Sequence, residues 1–138
     1  MKIKDLMHSG IETLAAGASI SAVAGAMKQK DVGAIAIRDQ DRLVGIITDR
    51  DLALLLADGG DIAKLTAKDV MTKVVFSCRE TDHIHDALQK METNRVRRLP
   101  VLDHKEKLVG MISLGDISHK APHELATRLV KAVSAHHP

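Results

Sequence analysis

Short apolar stretches separated by polar turns divide the chain into two halves with the same order of elements. In each half, a short strand candidate leads into a helix with apolar residues at helical spacing, then into two apolar strands around a polar turn, then into a second helix. In the first half the predicted elements are a strand at 11–14, a helix carrying Ile20, Val23, Ala24 and Met27, strands at 34–37 and 43–48, and a helix after Thr48. In the second half they are a strand at 74–78, a helix carrying Ile84, Ala87, Leu88 and Met91, strands at 99–102 and 108–113, and a helix after Ser113. The pattern predicts an α+β fold made of two β-α-β-β-α repeats.

The two halves also share sequence at a nearly constant offset. Asp5-Leu6-Met7 recurs 64 positions later as Asp69-Val70-Met71, and Val44-Gly45 recurs 65 positions later as Val109-Gly110. The extra residue falls in the polar turn after Asp103, where an insertion disturbs no strand. Internal repetition decides the architecture. We predict one repeat at 1–60, a second at 61–121, and a terminal segment at 122–138 that begins as a helix.

The helix predicted after Thr48 is apolar nearly all the way round, from Leu52 to Ala57. A helix of this kind needs cover on more than one side. A chain of 138 residues can bury one face of the helix in its own core, so we assign the other face to a second copy of the chain. The sequence thus predicts a homodimer.

In both halves a buried strand ends at a hydroxyl residue, and an aspartate follows three residues later. The pairs are Thr48 with Asp51 and Ser113 with Asp116. Backbone N–H groups at a strand-to-helix turn attract phosphate, and an acidic residue nearby can accept hydrogen bonds from ribose hydroxyls. The same residue types also form ordinary helix caps. Capping and nucleotide binding both remain open, because duplication would copy either role.

Composition narrows the functional classes. Apolar residues make up 45% and charged residues 28% of the chain, a balance typical of soluble globular proteins. No apolar run is long enough to cross a membrane, and no signal peptide is recognised at the N-terminus. The single cysteine, Cys78, cannot form an internal disulfide. From these observations we expect a cytoplasmic protein. A net charge of +2 and a single aromatic residue, Phe76, weigh against nucleic acid as a partner. The eight scattered histidines predict no metal site, and no nucleophile elbow or Walker-type loop indicates catalysis.

The repeated motifs resemble the CBS domain family, in particular bacterial proteins of the hypoxic-response type that consist of one CBS pair. The resemblance rests on Asp69-Val70-Met71, on Val96-Arg97-Arg98-Leu99-Pro100-Val101, and on the Gly-x-x-Thr/Ser-x-x-Asp run in both halves. It implies two repeats packed sheet to sheet about a pseudo-twofold axis. It also implies clefts that in many relatives bind AMP, ADP, ATP, NAD or S-adenosylmethionine.

Site residues follow from the resemblance by position. It implies that Thr48 and Ser113 meet phosphate, that Asp51 and Asp116 hold ribose, and that Val32, Ile37, Val96 and Val101 surround adenine. Backbone groups near Thr13 and Ser77 would read the base edge. Arg97 or Arg98 could pair with a phosphate. Arg50, between Thr48 and Asp51, leaves ligand binding at the first cleft open as well.

Two positions depart from the family pattern. The proline of the second strand is present as Pro100, but Ala36 stands in its place in the first half. The glycine that often precedes this strand is Asp31 in the first half and Arg95 in the second. Since an arginine suits a phosphate better than an aspartate does, we favour the second cleft if only one is occupied.

These features together predict a regulatory sensor of adenine nucleotides that changes shape on binding and signals to an unknown protein effector. A ligand-free interaction module, whose apolar helices serve assembly alone, is the main alternative. A nucleic-acid binder that uses the arginine cluster is the third.

Overall fold

The computed structural model describes residues 1–74 and 76–120. The helix predicted from Pro122 onward lies outside the described residues. Two compact units are present, one formed by the described residues between Ile11 and Phe76, the other by Met1–Ile11 together with the described residues from Phe76 on. We call them the first-repeat unit and the second-repeat unit.

The first-repeat unit contains a four-stranded sheet with helices. Its elements are β2 (Thr13–Ala15), α1 (Ile20–Lys30), β3 (Ala34–Asp39), β4 (Arg42–Thr48), α2 (Asp49–Ala57), α3 (Ala67–Val70) and β5 (Thr72–Lys73). The strand order is β2-β3-β4-β5, with β2 parallel to β3 and the other pairs antiparallel. Its core is formed by Val23, Ala26, Met27, Ile35, Ile37, Ile47 and Ala67.

The second-repeat unit repeats this plan. Its elements are β1 (His8–Ser9), β6 (Cys78–Arg79), α4 (Ile84–Asn94), β7 (Arg98–Leu102), β8 (Leu108–Ser113) and α5 (Leu114–Lys120). The strand order is β1-β8-β7-β6, with β6 parallel to β7 and the other pairs antiparallel. Its core includes Ile3, Leu6, Ile84, Leu88, Met91, Leu99, Ile112 and Ile117. The predicted α+β class and the β-α-β-β-α order of both repeats are therefore confirmed.

Each repeat's leading segment pairs with the other repeat's sheet. β1 precedes the first repeat but pairs with β8, whereas β5 precedes the second repeat but pairs with β4. The compact units consequently differ from the sequence repeats at 1–60 and 61–121 by this exchange of leading segments.

The exchange explains the repeated Asp-x-Met and Val-Gly motifs. In the leading segments, Asp5 accepts the Lys2 N–H at 3.0 Å, and Asp69 accepts the Thr66 N–H at 2.9 Å. The methionines that follow lie against the strand glycines, so that a Cβ on Gly110 would lie 2.7 Å from the Met7 sulfur. Met71 crowds Gly45 in the same way. Glycine is needed at both positions because a neighbouring segment approaches the strand closely.

The strand predicted at 74–78 is wrong in its bounds. Thr72–Lys73 and Cys78–Arg79 form separate strands in different sheets, and Val74, Phe76 and Ser77 belong to neither. The chain leaves one unit and enters the other within this run, so Val74, Phe76 and Ser77 are not parts of one continuous strand.

Ser19 caps the start of α1, where its side chain accepts the Ala22 N–H at 3.0 Å. α1 and α4 end at Asp31 and Arg95, both in the left-handed conformation with φ of 53° and 54°. These are the two positions where the family often has glycine, which adopts that conformation without strain. Among the described residues, no helix has both the length and the apolar character needed to cross a bilayer.

Candidate functional site

The turn from β4 into α2, here called the first corner (Thr48–Asp51), is closed by reciprocal hydrogen bonds. The Thr48 N–H donates to Asp51 Oδ2 at 2.8 Å, and the Asp51 N–H donates to Thr48 Oγ1 at 3.1 Å. The Asp49 N–H donates to the Gly33 carbonyl at 2.9 Å, which ties the corner to the residue just before β3. This is a capping box, so the capping alternative that the sequence left open is present at the first corner.

The turn from β8 into α5, the second corner (Ser113–Asp116), has the same geometry. The Ser113 N–H donates to Asp116 Oδ2 at 2.8 Å, and the Asp116 N–H donates to Ser113 Oγ at 3.1 Å. The Leu114 N–H donates to the Arg97 carbonyl at 3.0 Å. Capping uses only one oxygen of each aspartate, so the second oxygen, Oδ1, is the atom that could accept a ribose hydroxyl.

The two corners differ at that second oxygen. Asp116 Oδ1 lies 2.7 Å from Nε2 of His8, the first residue of β1. Asp116 is buried with 8% exposure, whereas the His8 side chain is 76% exposed. The position that corresponds to His8 is Thr72, and Asp51 Oδ1 has no hydrogen-bond partner among the described residues. Among the described residues, the second carboxylate oxygen therefore has a partner in the second corner and none in the first.

The corners also differ in charge next to the helix start. In the first corner, Asp49 Oδ1 accepts the Arg50 N–H at 2.8 Å, and its Oδ2 lies 3.0 Å from where a Cβ on Gly33 would be. In the second corner these two places are taken by Leu114 and Arg97. A carboxylate thus occupies the first corner at the point where the second has a buried leucine and an arginine.

Arginines stand beside the second corner. Arg98 is directly opposite Ser113 in the β7–β8 pair, and Arg97 precedes it. Both are half-buried, and neither guanidinium is paired with a carboxylate within the part of the chain that the structure describes. Arg95, two residues before Arg97, is the exposed C-terminal cap of α4. Two arginines therefore lie at the start of the strand that pairs with the end of β8, next to the second corner.

The residues expected around adenine fall into two groups. Val32 is 44% exposed and Val96 is half-buried, so both have side-chain surface that is not used by the core. Ile37 and Val101 are completely buried in the cores of their own units, and Pro100 is buried in β7. Ile37 and Val101 have a packing role in these cores, because alternate strand positions face the core, whereas Pro100 lies on the opposite face of β7 from Leu99 and Val101. Arg50 is exposed on the first turn of α2.

The backbone groups expected to form hydrogen bonds with the edge of the adenine base also differ between the two repeats. Lys90 of α4 donates from Nζ to the Ser77 carbonyl at 2.6 Å. The corresponding residues of the first repeat are Ala26 and Thr13, and an alanine cannot make this contact. Lys90 and His8 are residues that the sequence reasoning missed. Both could have been found by aligning the repeats, because each replaces a small or uncharged residue of the other half.

Cys78 is a buried thiol. Its Sγ lies 3.6 Å from the Pro100 carbonyl, and burial, followed by the nearby Asp82 charge, raises its pKa to about 12. The predicted structural role of Cys78 agrees with this environment.

Over residues 1–74 and 76–120, no three His, Cys, Asp or Glu side chains lie close enough to hold a metal ion. His83 and His85 stack with ring centroids 4.7 Å apart, and His83 caps α4.

Comparison with known proteins agrees with this architecture. The sequence model of the CBS domain matches residues 3–58 and again residues 67–122. The CBS domain-containing protein YhcV of Bacillus subtilis is 35% identical over 116 residues, which cover 84% of this chain and 82% of that protein. Hypoxic response protein 1 of Mycobacterium tuberculosis is 33% identical over 132 residues, which cover 94% of this chain and 92% of that protein.

Solved structures give the same result. The crystal structure of Hypoxic Response Protein I with two coordinated zinc ions has a TM-score of 0.77 and 32% identity, covering 88% of this chain and all of that one, 100%. The CBS domain pair of protein MJ0100, in complex with 5′-methylthioadenosine and S-adenosyl-L-methionine, has a TM-score of 0.77 and 28% identity, covering 86% of this chain and 94% of that one. Because the family matches both repeats over most of the chain, this protein belongs to the CBS domain family and contains two CBS domains in tandem.

Proposed function

We propose that this CBS pair is a regulatory protein that binds an adenosine-containing ligand at the second corner. The main support is the combination of Asp116, whose position is fixed by the capping box, with Arg97 and Arg98, which lack a carboxylate partner among the described residues. Asp116 would accept hydrogen bonds from the ribose, and the guanidinium groups would bind phosphate. The related MJ0100 CBS pair, whose structure contains two adenosyl compounds, supports an adenosyl ligand of some kind here.

The charges favour a ligand with a phosphate at the second corner. Arginine forms bidentate, charge-assisted hydrogen bonds with phosphate, whereas a carboxylate repels it. The first corner holds Asp49 and Asp51, with Asp31 at the end of α1, against a single Arg50. We therefore use AMP as the probe for the second corner and expect the first corner to bind it poorly.

Ligand binding would act through a change in conformation. A ligand shifts a conformational equilibrium only by its difference in affinity between the two shapes. The signal would pass to a second copy of the chain and to a protein effector. α2 supports the homodimer, since Leu54 and Leu56 are 52% and 69% exposed and none of its residues is buried.

A ligand-free interaction module is the second candidate. Two observations favour it: both aspartates already cap helices, and the apolar surface of α2 is uncovered. In that case the corners would serve only the fold, and the leucines of α2 would provide the whole function. The two proposals differ in whether any adenosyl compound binds.

Calorimetric titration of the full chain with AMP tests the proposal. The variants are Asp116→Ala, the equivalent Asp51→Ala, and Asp69→Ala as a control, because Asp69 also caps a helix but lies outside both corners. We expect AMP to bind the wild-type chain, Asp69→Ala and Asp51→Ala with similar affinity, and to bind Asp116→Ala at least about tenfold more weakly.

Each other outcome has a defined meaning. If AMP, ATP, NAD and S-adenosylmethionine all fail to bind, the interaction module replaces the sensor. If Asp51→Ala loses binding while Asp116→Ala retains it, the site is at the first corner and the charge argument is wrong. A rapid check precedes the titration: the chain contains no Trp or Tyr, so absorbance of the purified protein near 260 nm reports a nucleotide that has co-purified.

A further inference from the structure

The imidazole of His8 lies where the sugar of the ligand would bind. Its Nε2 is 2.7 Å from Asp116 Oδ1, which is the only carboxylate oxygen left at the second corner after the capping bond to Ser113. A ribose hydroxyl that donates to the same oxygen must share it with the imidazole or replace it. The imidazole and a sugar hydroxyl therefore compete for one oxygen of a buried carboxylate.

We propose that His8 is a specificity-determining residue that competes with the ribose for Asp116, so that the second corner binds only ligands able to displace it. This inference rests on the proposed function, because it concerns the same site. His8 acts through Asp116 and is in that sense a positioning residue.

The surroundings of His8 allow displacement at low cost. β1 has two residues at the edge of its sheet, and the His8 side chain is 76% exposed, so a rotation of the side chain is enough to release Asp116. The backbone of the segment is held independently of this contact. The Ile3 and Lys4 N–H groups donate to the carbonyls of Asp82 and Glu80 at 2.8 and 3.0 Å, and His8 and Ser9 pair with Met111 and Gly110.

The first repeat provides an internal control. Thr72 has the position of His8 in the other sheet, paired with Ile46 as His8 is paired with Met111. A threonine side chain is shorter than an imidazole and carries no charge that could form an ion pair with Asp51. The competition therefore belongs to the second corner alone.

Titration of the full-length wild type, His8→Ala and Thr72→Ala with AMP and with 2′-deoxy-AMP tests the proposal. Loss of the competing imidazole should tighten AMP binding to His8→Ala about twofold, the change expected for a pair with one highly exposed partner. Binding of 2′-deoxy-AMP, which lacks one of the two competing hydroxyls, should change by less than half as much, and Thr72→Ala should behave as wild type. The difference between the two nucleotides excludes a merely structural effect, which would alter both affinities alike.

Three results would overturn the proposal. AMP affinity that is unchanged or weaker in His8→Ala means that the imidazole does not compete with the sugar. Equal tightening of AMP and 2′-deoxy-AMP means that His8 blocks the corner without regard to the sugar. If neither wild type nor His8→Ala binds AMP, this inference fails together with AMP as the ligand of the second corner, and the proposed function fails with them if ATP, NAD and S-adenosylmethionine do not bind either. Binding that is indifferent to His8 leaves the proposed function standing and removes only this inference.

Discussion

Replacement of Asp116 by alanine separates its capping role from its proposed ligand role. The substitution removes the acceptor of the half-buried Ser113 N–H, a bond of 2.8 Å, and loss of a helix cap typically costs about 1 kcal/mol. It also removes the contact with His8, which is worth about 0.5 kcal/mol because the imidazole is 76% exposed. We therefore expect Asp116→Ala to be about 1.5 kcal/mol less stable than wild type without any ligand. The equivalent Asp51→Ala should lose only the cap, about 1 kcal/mol.

Urea unfolding followed by far-ultraviolet circular dichroism is the suitable assay, since the chain has no tryptophan to report by fluorescence. A double-mutant cycle of His8→Ala and Asp116→Ala should give a coupling free energy of about 0.5 kcal/mol. The same cycle built on Thr72→Ala and Asp51→Ala should give a value near zero. Equal coupling in both cycles, or none in the first, would refute the asymmetry between the corners on which the proposals depend.

Three further outcomes follow from individual contacts. Because burial raises the pKa of Cys78 to about 12, iodoacetamide should label the native protein slowly at neutral pH and rapidly in urea; equally rapid labelling would contradict its burial. Hydrogen bonds from the Lys107 and Lys105 N–H groups lower the pKa of Asp103, so its carboxylate stabilises the folded loop at neutral pH, and this contribution is lost as the pH falls through the folded-state pKa. Asp103→Asn should therefore lower the urea midpoint at neutral pH but not in strong acid. A difference in midpoint that does not depend on pH would contradict this role. Leu56→Glu should convert the proposed dimer into a monomer in sedimentation, while a wild type that is already monomeric would remove α2 as a dimer surface.

The sequence was sufficient for the parts of the fold that depend on local chemistry. α1 and α4 form where the helically spaced apolar residues indicate, and the inserted residue lies in the loop between β7 and β8, where Glu106 adopts a left-handed conformation. The duplicated hydroxyl and aspartate were correctly placed at two strand-to-helix turns. Each of these features is fixed by residues a few positions apart, so short-range patterns predict it.

Features that depend on pairing partners were not predicted. The apolar run around Val74 has the composition of a strand, yet hydrophobicity does not say which sheet a segment joins, and here the chain changes sheets within it. For the same reason the exchange of leading segments, with Met7 against Gly110, was not seen in the repeated motifs. Ile37 and Val101 were expected at the ligand because the resemblance assigns positions, but strand alternation turns both toward the core. Aligning the repeats marks His8 as different from Thr72, but its contact with Asp116 joins residues far apart in sequence and appears only in the folded chain.

A crystal structure of the full chain grown with AMP tests the central claim most directly. The proposed function requires AMP at the second corner, with ribose hydroxyls on Asp116 Oδ1, phosphate against Arg97 or Arg98, and the His8 imidazole turned away. Density for AMP at Thr48 and Asp51 alone, or an unoccupied second corner at a saturating AMP concentration, would contradict it.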